Sequence, residues 1–142
     1  MKTALALILA GGIVAAQEVA PPAETITPRS RALELAGAFA NEGYKIRDGF
    51  WSGSLEPGKP LVLQVNLFSG NEYWFSAATL APAGMLRIGV FDENGLPVQG
   101  EDFQDGGTAA AGVIAGASGK YFVRLELAGG DKAEFCLVYS YK

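Results

Sequence analysis

The chain has 142 residues, a formal net charge of −4 and no histidine. That length suits one domain with a real core, and a mildly acidic balance without a basic cluster argues against nucleic acid or an anionic membrane as partner. The missing histidine excludes Ser-His-Asp and Cys-His catalysis, histidine metal sites and the usual neutral-pH proton shuttle.

Residues 1–16, MKTALALILAGGIVAA, read as a cleavable signal peptide. Lys2 supplies the positive start, Thr3 to Val14 an apolar run too short to span a bilayer well, and Val14-Ala15-Ala16 the small residues a signal peptidase needs. Cleavage there places the mature protein in the periplasm or outside the cell, beginning at Gln17 and with no later membrane span. Residues 17–26 are rich in proline and alanine and read as a flexible mature N-terminus. Residues 27–43 are expected to form a helix, with Thr27 as N-cap, Pro28 at the first helical position and Gly43 as its stop. Its apolar stripe is Ala32, Leu35, Ala36, Phe39 and Ala40.

After Gly43 the apolar period changes from 3.6 to 2, and residues 48–142 read as a β-domain. Phe50 to Leu55 is a short strand closed by Glu56-Pro57-Gly58. Leu61, Leu63, Val65 and Leu67 alternate with Val62, Gln64, Asn66 and Phe68. Glu72 to Ala78 follows, with Tyr73, Phe75 and Ala77 on one face and Trp74, Ser76 and Ala78 on the other. Leu80 to Gly84 reads as a loop, and Leu86, Ile88 and Val90 carry the next strand. Asn94-Gly95 is a hairpin signal, returning through Pro97 into an edge strand over Val98 to Phe103. Thr108 to Ala115 is an extended, small-residue segment that lets a neighbouring element approach closely. Tyr121, Val123, Leu125 and Leu127 alternate most clearly, and Gly129-Gly130-Asp131 turns into Phe135, Leu137, Tyr139 and Tyr141. Short strands bounded by glycine turns, with no helix left for parallel crossovers, predict an all-β antiparallel sandwich of jelly-roll type with one N-terminal helix.

The order of motifs also resembles a known family. Gly53-Ser54-Leu55 is followed by Leu67-Phe68-Ser69-Gly70-Asn71-Glu72-Tyr73-Trp74-Phe75. Ile88-Gly89-Val90-Phe91-Asp92-Glu93-Asn94-Gly95 and Ala117-Ser118-Gly119-Lys120-Tyr121-Phe122-Val123-Arg124-Leu125 come after. This succession, over about residues 50–142, resembles the bacterial pre-peptidase C-terminal domain. The resemblance implies a jelly-roll-like sandwich that serves as a non-catalytic accessory to secreted hydrolases, here free-standing. One departure is Pro60-Leu61-Val62, where the family commonly has acidic residues, so no ion-related role is carried over to that position.

Two groups of side chains stand out as candidate sites. Trp51, Trp74, Tyr44 and Tyr73, near Phe50, could stack on a sugar or a protein partner, or fill the core. The acidic stretch around the Asn-Gly bend, with Asp92, Asn94, Asp102 and Asp105, offers oxygen ligands of the kind calcium takes, or is a solvated turn. No other cofactor is indicated. Gly116-Ala117-Ser118-Gly119-Lys120 fails as a phosphate loop, because a strand follows where a helix is needed. Cys136, the single cysteine, has no partner for an internal disulfide and sits in an apolar run that suits a structural role. Arg87, Arg124 and Glu126 read as a cross-strand charge pattern on an outer face. The expected function is an exported, non-catalytic module binding an envelope or secreted protein or a glycan. The alternatives are a small carboxylate-dependent polysaccharide hydrolase, which needs no histidine, and a purely structural envelope component.

Overall fold

The computed structural model describes residues 26–80 and 84–142. The expected signal peptide and nearly all of the expected flexible N-terminus lie outside the described residues, as do three residues of the Leu80–Gly84 loop.

Helix α1 (Pro28–Ala40) begins as its sequence dictates. The Thr27 hydroxyl accepts from the Ser30 amide at 3.0 Å, and the Ser30 hydroxyl accepts from the Thr27 amide at 2.9 Å. This reciprocal cap satisfies two otherwise orphaned donors and is worth about 1 kcal/mol. The helix ends three residues before Gly43, which closes the following turn through a 3.1 Å bond from its amide to the Ala40 carbonyl. The packed face follows the expected stripe at Ala32, Leu35, Ala36 and Phe39. Ala32 and Ala36 are buried and Leu33 packs beside them, whereas Ala40 is exposed.

Nine strands follow: β1 (Lys45–Ile46), β2 (Trp51–Leu55), β3 (Leu61–Leu67), β4 (Glu72–Thr79), β5 (Met85–Asp92), β6 (Gly100–Asp105), β7 (Thr108–Ile114), β8 (Gly119–Ala128) and β9 (Ala133–Tyr141). They form two antiparallel sheets. The larger has the order β1-β9-β4-β7-β6, with β2 also pairing with β9, and the smaller has the order β3-β8-β5. One apolar core takes side chains from both: Leu55, Tyr73, Phe75, Ala111, Phe135, Leu137 and Tyr139 from the first, and Val65, Leu67, Leu86, Val90, Val123, Leu125 and Leu127 from the second. The described residues thus form an all-β sandwich of antiparallel sheets with one N-terminal helix.

Strands β3 and β8 keep the expected alternation, with their other face solvated. Strands β4 and β9 do not, because α1 covers the outer face of the larger sheet. There Ala32 and Ala36 meet Ala78, Cys136 and Val138, and the Phe39 ring stacks on the Trp74 indole at 4.1 Å. Both faces of β4 are therefore buried from Tyr73 to Thr79. The small residues of β7 make room for this layer. A Cβ on Gly112 would sit 2.7 Å from the Trp74 ring, so the glycine lets the indole lie across β7.

The Asp92–Gly95 turn forms as predicted, but the strand after it goes elsewhere. The Asp92 carboxylate accepts from the Asn94 and Leu96 amides at 2.9 and 3.0 Å, and Gly95 takes the positive φ that the bend requires. The chain then makes only an isolated bridge between Pro97 and Phe91 before crossing to the larger sheet. There β6 pairs with β7 as an edge strand, starting two residues later than expected. The bridge is flanked by bonds from the Asp92 amide to the Leu96 carbonyl and from the Val98 amide to the Val90 carbonyl, and beyond Val98 the chain leaves β5. On this side the sheets are tied directly. The Leu86 amide donates to the Gly106 carbonyl at 2.8 Å, and the Gln104 side-chain amide donates to the Leu86 carbonyl at 2.9 Å.

Candidate functional site

The four aromatic side chains singled out from the sequence do not form one platform. Tyr73 and Trp74 are neighbours on a strand, so they point to opposite faces of the larger sheet. Trp74, 7% exposed, lies on the outer face against Phe39; Tyr73, 3% exposed, lies between the sheets. Trp51 is half-buried at the core and stacks on Tyr139 at 5.7 Å. Tyr44 stands near Trp74, at the end of the helix.

Two cavities result. The smaller, about 220 Å³, is lined by Tyr44, Glu72, Trp74, Glu101 and the backbone of Gly100 and Gly112 among others. The Tyr44 hydroxyl donates to the Glu72 carboxylate at 2.9 Å. Burial first, and then this carboxylate, push the Tyr44 hydroxyl up to about 12, against the opposing pull of the Trp74 indole. Lys142 seals the corner. Its ammonium lies 3.4 Å from the Glu72 carboxylate, donates to the Glu42 carbonyl at 3.1 Å and sits 4.6 Å from the Tyr44 ring centroid. The polar groups of this corner are largely spent on one another.

The second cavity, about 310 Å³, lies where the end of β3 meets β4 and β9 at the mouth between the sheets. Its lining is Arg47, Phe68, Asn71, Tyr73, Tyr139 and Tyr141. Strand alternation brings the three tyrosines together. Tyr73 is opposite Tyr141 in the β4–β9 register, and Tyr139 follows two residues before on the same face. Phe68, 65% exposed, and Tyr141, 37% exposed, present open apolar surface. Tyr73 contributes its polar tip. Its hydroxyl accepts from the Phe68 amide at 2.8 Å and from the Asn71 side-chain amide at 3.3 Å, which leaves its own proton to donate. The Arg47 guanidinium lies over the Tyr139 ring at 5.1 Å.

Of the residues in this cleft, only Tyr73 was a candidate from the sequence; Trp51 reaches it through Tyr139. Phe68 carried a signal, being an aromatic on the face of Gln64 and Asn66 and next to a turn. Tyr139 and Tyr141 read as ordinary core alternation, and Arg47 and Asn71 carried no signal until the chain was folded.

The acidic candidates do not converge either. Asp92 and Asn94 line a surface cavity with residues 116–121, and Asp102 lines a different one beside Ile88 and Val98. Asp102 and Asp105 are three apart on β6 and so face opposite sides of the sheet. The Asp92 carboxylate is occupied by its own turn. Among the described residues no group of three or more His, Cys, Asp or Glu side chains is placed to hold a metal ion. Cys136 is buried beneath α1, and burial pushes its thiol up while Arg29 opposes the shift. On the outer face of the smaller sheet, Arg124 pairs with Glu126 on its own strand at 3.7 Å, while Arg87 is opposite Glu126 in the β5–β8 register.

No protein-family model matches the chain, and no curated protein sequence matches it, so a reading of the cleft rests on the chemistry of its own residues.

Proposed function

We propose that this protein is an exported, non-catalytic binding module that holds a saccharide in the aromatic cleft between its sheets. The cleft carries the reading. It joins two open aromatic surfaces, Phe68 and Tyr141, to hydrogen-bonding groups on Asn71, Tyr73 and Arg47. A sugar ring needs that pairing, since its C–H face stacks on aromatic rings while its hydroxyls need directed partners. The leader pattern of residues 1–16 supports export to a periplasm or beyond. The likeness of residues 50–142 to the pre-peptidase C-terminal domain supports an accessory role on a jelly-roll-like framework.

The test is a titration of the protein with a panel of neutral and acidic oligosaccharides, followed by chemical shifts of Phe68, Tyr73 and Tyr141. Shifts confined to the cleft, lost in Phe68→Ala/Tyr141→Ala while the fold is retained, are expected. No shift at the cleft with any member of the panel refutes the reading.

The hydrolytic alternative has one observation in its favour: Glu72 and Glu101 line the same small cavity. It requires sugar release from a polysaccharide that disappears in Glu101→Gln.

A further inference from the structure

The cleft carries a single kind of charge. Among the described residues, Arg47 is its only ionisable group other than tyrosine, and no carboxylate lines it. In a chain of net charge −4, the charged side chain that lines this cleft is a cation.

Arg47 is also held in place. Its amide donates to the Tyr139 carbonyl at 2.9 Å, which fastens its backbone to β9 just beyond β1. Its guanidinium rests on the Tyr139 ring. A cation over a ring spends none of its N–H donors on a hydrogen bond. The ion pairs among the described residues are Lys59–Glu56, Arg124–Glu126 and Lys142–Glu72, and Arg47 takes part in none. Nearby, the Tyr73 hydroxyl has both its acceptor sites filled and only a proton to offer. The cleft therefore presents an unpaired planar cation and a phenolic donor beside open aromatic surface. A carboxylate matches such a fork with two parallel hydrogen bonds.

We infer that the cleft selects saccharides bearing a carboxylate, of the uronic-acid class, with Arg47 gripping the carboxylate and Tyr141 and Phe68 packing against the ring. This rests on the saccharide reading above and adds the charge of the ligand to it.

The test compares trigalacturonate with its fully methyl-esterified form, which keeps the sugar rings and removes the carboxylate charge, titrated calorimetrically into the full chain. A charge-assisted pair at a partly open site is expected to favour the acid by about tenfold. Added salt narrows that gap, because Arg47 is exposed to solvent. Arg47→Gln brings the two affinities together by weakening the acid alone. Arg47→Lys, which keeps the charge without the planar fork, restores part of the difference. Equal affinities of the wild-type protein for the two probes, or an acid preference that survives Arg47→Gln, overturn the inference and leave the saccharide reading standing. If neither probe nor any panel member binds, the saccharide reading itself falls.

Discussion

The interface between α1 and the larger sheet contains two hydroxyls that have lost water and gained nothing. Ser76 and Ser140 are fully buried, and neither Oγ has a hydrogen-bond partner among the described residues. They lie on neighbouring strands, where Trp74 is opposite Ser140 and Val138 is opposite Ser76, so the two hydroxyls are diagonal neighbours on the helix-covered face. An unsatisfied buried hydroxyl costs about 1–3 kcal/mol. Replacing serine by alanine removes that cost and forfeits the contacts of one atom, about 0.1–0.2 kcal/mol each. Ser76→Ala and Ser140→Ala are each expected to stabilise the fold by about 1 kcal/mol. For a domain of this size that is a rise in melting temperature of about 3–6 °C. Thermal and urea unfolding of the wild type, both single variants and the double variant provide the assay. The single effects should add to within about 0.5 kcal/mol, since no bond joins the two groups. A loss of about 1 kcal/mol in either single variant would refute the reasoning, because it would mean that the hydroxyl is satisfied within the interface. A larger coupling would mean that the two share a partner.

Two glycines should respond in opposite directions to the same added methyl. Gly112→Ala drives a Cβ to 2.7 Å from the Trp74 indole and is expected to cost about 1–3 kcal/mol, with early loss of amide protection in α1. Gly37→Ala, inside α1 with nothing within 4 Å of the new atom, should stabilise by about 0.5–1 kcal/mol through helix propensity, and unchanged or lower stability would count against the helix register. The pH dependence of unfolding tests the Tyr44 corner. The folded hydroxyl is pushed up to about 12, above the ordinary tyrosine value of 10.0, so the folded state keeps a proton that the unfolded chain loses. Its contribution is complete below pH 10 and declines between about pH 10 and 12, a slope that Tyr44→Phe should flatten. If Tyr44→Phe unfolds with the wild-type pH profile over that window, the Tyr44–Glu72 bond does not persist in solution.

Much of the local structure was legible because its causes are local. Thr27, Pro28 and Ser30 place the start of α1 through caps that span three residues. The alternation of Leu61–Leu67 and Tyr121–Leu127 sets the inward face of β3 and β8, since one side of the smaller sheet stays wet. The Asp92–Gly95 bend follows from an aspartate that bonds nearby amides and a glycine that accepts positive φ. Where an element's surroundings come from distant parts of the chain, the pattern misleads. In β4 the alternation of Tyr73 and Trp74 is real, yet no residue in the strand announces that a helix some forty positions earlier will cover its second face. Strand β6 follows a hairpin bend, but its partner is β7 in the other sheet, a pairing that the residues of the bend do not announce.

The same division governs the site. The sequence by itself determined the β-class, the helix and its cap, the turns and the absence of histidine chemistry, each from residue types and short-range spacing. Only the tertiary structure decided which aromatics meet. Strand alternation had already set Tyr73 and Trp74 on opposite faces, and packing gave Trp74 to the helix and Tyr73 to the space between the sheets. The antiparallel register of β4 and β9 then brought Tyr73, Tyr139 and Tyr141 together from positions far apart in the chain. Phe68 and Arg47 joined them from the end of β3 and from just beyond β1, contacts that chain spacing does not encode.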